Sequence, residues 1–148
     1  MKKTEKQFEE IRNICNEIFS KKFHDYGSSW RVLRPSSITD QIFIKAQRIR
    51  SIEINPNQKI SDSITDEYIG IINYSIIALI QIELKDNHPI NISFETANSL
   101  WNKYFSNAKD LMINKNHDYG EAWRQMRVSS FTDIILMRIQ RIKQIEDN

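Results

Sequence analysis

Apolar residues recur at spacings of three and four along most of the chain, and the pattern predicts about five helices. Over about 4–22, Phe8, Ile11, Cys15, Ile18 and Phe19 form one apolar stripe. Glu9 and Glu10 early, with Lys21 and Lys22 in the last turn, suit the helix dipole. Gly27 is placed to end this helix in a left-handed conformation. A second helix is expected over about 38–53, with Ile38, Ile42, Ala46, Ile49 and Ile52 inward and Asp40, Lys45 and Arg48 directed away. Ser37 with Asp40 reads as a short capping box. The third helix starts at Asp62 or Asp66 and ends at Leu84. It is apolar nearly all round, so it is expected at the centre of the core. Asp66, Gly70 and Asn73 mark one face of it, and Glu67, Ile71 and Tyr74 the adjacent one. Such polar groups must find partners, because a buried unpaired one costs roughly 1–3 kcal/mol. Ser93 predicts the cap of a fourth helix over 94–115, with Leu100, Trp101, Tyr104, Ala108, Leu111 and Met112 inward. A fifth is expected over about 131–146, and turns at 55–58 and 86–89.

The pattern repeats. His24-Asp25-Tyr26-Gly27 with Trp30, Arg31, Arg34, Ser36, Ser37, Thr39 and Asp40 recurs ninety-three positions on, as His117-Asp118-Tyr119-Gly120 with Trp123, Arg124, Arg127, Ser129, Ser130, Thr132 and Asp133. The match continues through Gln47, Arg48, Ile49, Ile52 and Glu53, which pair with Gln140, Arg141, Ile142, Ile145 and Glu146. Two copies in one chain keep what the unit needs, for folding or for chemistry. The expected division is a first repeat unit of three helices over 1–85 and a second of two helices over 86–148, together one compact domain. A second copy of the third helix would begin near position 155, beyond this sequence. The second unit therefore needs cover from the first three helices, from another chain, or from a longer version of the protein.

Composition narrows the class without naming an activity. Of 148 residues, 40% are hydrophobic and 27% charged, which suits one domain with a core. Three glycines and three prolines leave few helix breakers, so the fold class is all-α. A net charge of +2 argues against a general nucleic-acid or membrane surface. The single cysteine, Cys15, forbids an internal disulfide, and a cytoplasmic location is expected.

The repeated polar residues admit structural and chemical readings. Helix capping explains Ser37, Asp40, Ser130 and Asp133, while an anion site at the same helix start is the alternative for Ser36 and Ser37. Asp25 near a helix C-terminus opposes the dipole at a cost of roughly 0.3–1 kcal/mol and calls for a partner. Arg31, Arg34, a metal ion or a substrate proton would each serve. His24 would orient Asp25, meet a phosphate or move a proton. Tyr26, Trp30, Arg31 and Arg34 suit a stacked base and gripped phosphates, or a plug between helices with paired arginines. Asp25, Asp40, Glu53, Asp66 and Glu67 are oxygen ligands of the kind magnesium takes, although no pair has the helical spacing of a metal site.

His-Asp-Tyr-Gly, Trp-Arg, Arg-Pro-Ser-Ser and Thr-Asp-Gln-Ile, followed by Ile-Ile-Asn-Tyr-Ser-Ile-Ile-Ala-Leu-Ile, resemble the nucleotide-modification-associated domain family of bacteria and phages. The resemblance implies a domain that acts on or binds a nucleoside phosphate. In it, His24, Asp25, Asp40 and Glu67 would be catalytic, with Asp25, Asp40 and Glu67 also holding magnesium. Tyr26, Trp30, Arg31, Arg34, Ser36, Lys45, Arg48 and Asn73 would bind substrate, joined by His117, Asp118, Tyr119, Trp123, Arg124 and Arg127 of the second copy. Two departures stand out. Gly70 occupies a position where related sequences often carry an acid, and the second copy has no Asn-Tyr helix. A remoter likeness, at the level of the fold, is to MazG-type all-α pyrophosphohydrolases. The expected function is nucleotide binding with magnesium-dependent hydrolysis of a nucleoside phosphate, in a homodimer. The alternative is a non-catalytic binding or assembly module in which the repeated motif is a structural clasp.

Overall fold

The structure, a computed structural model, describes residues 2–55, 57 and 63–148. It is all-α: α1 (Lys2–Tyr26), α2 (Pro35–Ile54), α3 (Ile64–Leu84), α4 (Phe94–Tyr119) and α5 (Val128–Glu146). Short 3₁₀ turns follow α1, α3 and α4, and no strand occurs among the described residues. The expected turn at 55–58 falls partly outside those residues.

The predicted helix ends need correction at four places, one of them the start of α5, which lies at Val128 and not near 131. α1 and α4 continue to Tyr26 and Tyr119, so each His-Asp-Tyr lies in a last helical turn. Each of these two helices then stops at a glycine with positive φ, Gly27 at 60° and Gly120 at 72°. α2 begins three residues before its predicted start, because Pro35 sits at the first helical positions, where its fixed φ suits a helix and its missing N–H costs nothing. The N-cap is Arg34, with no side-chain cap bond, and Ser37 lies inside the helix, so the capping-box reading fails. Ser93 does cap α4, its hydroxyl accepting from the Thr96 N–H at 3.1 Å.

The helices form two compact units, residues 1–32 with 79–124, and residues 33–78 with 125–148. Each unit takes one helix from each repeat.

In the first unit α1 packs on α4. Cys15, Phe19, Ala97, Trp101 and Phe105 are buried there, as are Ile80 and Leu84 of α3. Trp101 stacks on Phe105 at 4.9 Å between centroids and meets Phe19 at 6.2 Å. Burial pushes the Cys15 thiol up to about 11, so it behaves as a small apolar side chain. The end of α3, from Leu79 to Leu84, belongs to this unit.

In the second unit α2 packs on α5. Ile38, Ile42, Ala46, Ile49 and Ile139 are buried there, each isoleucine contributing about 1.5–3 kcal/mol. The first part of α3 joins them, and the Tyr68 and Thr132 hydroxyls are hydrogen bonded at 2.8 Å. By length and composition α3 could cross a membrane, yet Ile69, Ile71, Ile76, Ile77, Ile80 and Leu84 are all buried within the protein.

Reciprocal contacts explain much of what the two repeats share. Thr39 donates to Glu146 at 3.0 Å, and its counterpart Thr132 donates to Glu53, the counterpart of Glu146, at 3.3 Å. Asp40 pairs with Lys143 at 3.7 Å, while Asp133 pairs with Arg50 at 4.0 Å. The first unit shows the same exchange. Phe8 meets Phe105 edge-on at 5.0 Å, and the equivalent positions are Trp101 and Arg12, which form a cation–π contact at 5.9 Å. Within each unit the repeats thus face each other by an approximate two-fold exchange.

Candidate functional site

Two helices of the second unit bring together a cluster whose basic residues, Lys45 and Arg48, recur in the second copy as Arg138 and Arg141. Lys45 and Arg48, three apart, share a face of α2, and Glu67, Gly70 and Tyr74 share a face of α3. Glu67 is 6% exposed. Its Oε1 lies 3.6 Å from an Arg48 nitrogen, and its Oε2 lies 3.9 Å from the Lys45 ammonium. Both are ion-pair distances, longer than hydrogen bonds. Oε2 is buried and has no hydrogen-bond partner among the described residues. Lys45 also sits 5.6 Å over the Tyr74 ring. Its path explains Gly70: a Cβ there would stand 2.7 Å from both Cδ and Cε of Lys45. Glycine at this position clears a channel for the lysine to reach the carboxylate. The Arg48 side chain is 54% exposed, so the cluster opens to solvent on that side.

A buried carboxylate compensated by two cations but short of hydrogen bonds is expensive to hold. Such an arrangement can take a ligand that carries both an anion for the cations and an N–H or O–H for Oε2.

The other residues singled out from the sequence are used differently. His24, Asp25, Tyr26, Trp30, Arg31 and their counterparts belong to the first unit, whereas Asp40 and Glu67 belong to the second. His24 is exposed and stacks on Phe94 at 5.5 Å. Asp25 and Tyr26 are exposed too. In the second copy His117 Nδ1 is 3.0 Å from Asp118, both on the surface, and Tyr119 is also exposed. Trp30 packs against Phe19 at 6.4 Å, while the Trp123 indole N–H donates to Asn116 at 3.0 Å.

Arg31 is fully engaged. It donates to Gln81 Oε1 and to the carbonyls of Lys85 at 2.9 Å, His88 at 3.0 Å and Pro89 at 3.3 Å. Those carbonyls follow the end of α3 at Leu84, where the helix dipole favours a cation. Gln81 completes the clasp by donating to the carbonyls of Trp30 and Arg31 at 3.2 and 3.0 Å. Arg124 instead holds Thr4 at 2.5 Å, Gln7 at 2.8 Å and Glu121 at 2.8 Å. Hydrogen bonds from Thr4 and then Arg124 keep the Glu121 carboxyl below its ordinary range. Arg34 and Arg127 are the exposed N-caps of α2 and α5, and Ser36 is exposed in the first turn of α2. Asn73 is buried on α3. Among the described residues no three His, Cys, Asp or Glu side chains group as a metal site, and Asp25, Asp40 and Glu67 do not form one.

Three residues that matter here were not picked out as site residues. Gly70 provides clearance, Gln81 anchors Arg31, and Glu146 receives Thr39. The repeat carried a usable signal for the last, since Thr39 and Glu53 recur together as Thr132 and Glu146. Nothing local marked Gln81.

A family described as nucleotide modification associated domain 1 matches residues 22–82 and again 115–148. No curated protein and no solved structure matches the chain.

Proposed function

The chain belongs to the nucleotide modification associated domain 1 family, and on that premise we propose that it is a nucleoside-phosphate-binding domain whose site is the Lys45, Arg48, Glu67 and Tyr74 cluster. The observation that carries the reading is Glu67 Oε2, buried between two cations and without a hydrogen bond among the described residues. Arg48, open to solvent, is the bidentate grip for a phosphate. Lys45 adds a point charge. Glu67 accepts from a sugar hydroxyl or a base amine, and the Tyr74 ring offers a face to the base. The reading is limited to binding, and in it Asp40 is paired with Lys143 at 3.7 Å.

A thermal-shift screen against nucleoside mono-, di- and triphosphates, with and without magnesium, tests it. A ligand at 100 times its Kd adds about 2.7 kcal/mol, which for a chain of this size is a shift of roughly 5–10 °C. A shift independent of magnesium supports the binding module. A shift that needs magnesium reopens metal-dependent hydrolysis and calls for a product assay. No shift with any nucleotide overturns the reading. Arg48→Ala should weaken a found ligand by about tenfold or more, as loss of a charge-assisted bond does.

A second reading, an assembly module in which the repeated motif is a clasp, is favoured by one specific observation. Thr39, Asp40, Glu53 and their counterparts are spent on holding α2 to α5.

A further inference from the structure

The first unit contains a groove of about 800 Å³ between the start of α1 and the end of α4, lined by Phe8, Ile11, Leu111, Met112, Trp123 and Arg124. Moved by the repeat offset, these residues correspond to Trp101, Tyr104, Ile18, Phe19, Trp30 and Arg31. That second set is where the end of α3 is seated. Arg31 and the Trp30 carbonyl bind Gln81, and the Tyr104 hydroxyl donates to Glu83 at 2.5 Å. Trp101 and Phe19 are buried there at 0% and 4%. In the groove the equivalent surface is open, with Ile11 45% and Leu111 55% exposed.

We propose that this groove is a docking seat for an apolar α-helix of the α3 type, presented by a partner protein. The internal repeat defines the chemistry of that helix. Its apolar face covers Ile11 and Leu111. Its C-terminal end offers an amide side chain and free carbonyls to Arg124, as Gln81, Lys85 and His88 do to Arg31. One difference gives the seat its selectivity. The end of α3 carries Glu83, held by Lys103 and Tyr104 at 2.5 Å each. The equivalent groove positions are Glu10 and Ile11, so the partner helix carries a basic residue where α3 has Glu83.

A fluorescent peptide of residues 64–90, in its native form and with Glu83→Lys, is titrated into the intact protein and followed by anisotropy. Saturable one-to-one binding is expected, about three- to tenfold tighter for the Glu83→Lys peptide, the range for replacing a like-charge rim contact by an opposite one. Leu111→Asp should cut binding by more than tenfold. Glu10→Lys, an exposed change, should reverse the preference between the two peptides. Absence of saturable binding, binding indifferent to Leu111→Asp, or an unreversed preference would each overturn the proposal. So would a dimer of the protein alone that Leu111→Asp dissolves, since a second copy would then be the occupant.

Discussion

Trp30-Arg31 and Trp123-Arg124 are the same dipeptide at the same point of two repeats, yet they live in different surroundings. The first lies under the end of α3, with Trp30 against Phe19 and Arg31 holding Gln81 and three backbone carbonyls. The second borders a groove, and Arg124 turns to Thr4, Gln7 and Glu121. A motif kept twice therefore need not perform chemistry twice. Its recurring part builds a seat for a helix, and only one seat is filled from within the described chain.

The largest expected effect separates the two seats by core packing. Trp101→Ala should cost about 3–5 kcal/mol in urea unfolding, as truncation of a fully buried aromatic does. Its counterpart change, Phe8→Ala on the rim of the groove, should cost less than half as much. Equal costs would mean that the groove is as well packed as the filled seat.

Next come the arginines. Arg31→Ala strips the buried Gln81 of a partner and uncaps α3, for an expected loss of about 2–4 kcal/mol. Arg124→Ala removes bonds to the buried Thr4 hydroxyl and to the more open Gln7 and Glu121, and should cost about 1 kcal/mol. The reverse order would contradict the assignment of the clasp to the first copy.

In the second unit the comparison should narrow. Thr132 is fully buried and bonded to both Tyr68 and Glu53, whereas Thr39 meets Glu146 and its own helix carbonyl at Pro35. Thr132→Val should cost about 1–3 kcal/mol and Thr39→Val about 1. A double substitution that is strictly additive is expected, because the two bonds share no partner.

The smallest effect is in pH. Hydrogen bonds from Lys103 first, and then Tyr104, hold the Glu83 carboxyl below its ordinary 4.5. A lowered carboxyl contributes stability that is fully present above 4.5 and is lost as pH falls through the lowered value. Unfolding midpoints should therefore drop with acid below 4.5, and Glu83→Gln should flatten part of that slope. Glu121, lowered likewise, should do the same from the open side, so Glu121→Gln is the matching control.

The helices were legible in the sequence because a 3.6-residue period reports which face of a helix is apolar. It does not report whether anything covers that face. Ile11, Ala108 and Leu111 read as core and are exposed, all at the one groove where no α3 equivalent lies. The start of α2 was misplaced because Ser37 matched a capping pattern while Pro35 decided the first turn. At the candidate site, Lys45, Arg48 and Glu67 were picked out as residue types. Their convergence depends on how α2 meets α3, and on the clearance at Gly70, neither of which a local pattern encodes. Arg31 and Asp40 were read as ligand-binding and catalytic because their partners, Gln81 and Lys143, lie far along the chain.

The central claim is a division of labour, in which the repeated Thr39, Asp40, Glu53 and their counterparts hold helices and the cluster built around Glu67 takes the ligand. The most direct measurement is the nucleotide-induced thermal shift in Arg48→Ala and Thr132→Val, beside the unaltered chain. Arg48→Ala, which leaves the buried Glu67 to Lys45 alone, should melt somewhat lower and lose the shift, and Thr132→Val should melt lower and keep it. A shift that survives Arg48→Ala but vanishes in a folded Thr132→Val would contradict the claim, and would place binding in the repeated motif.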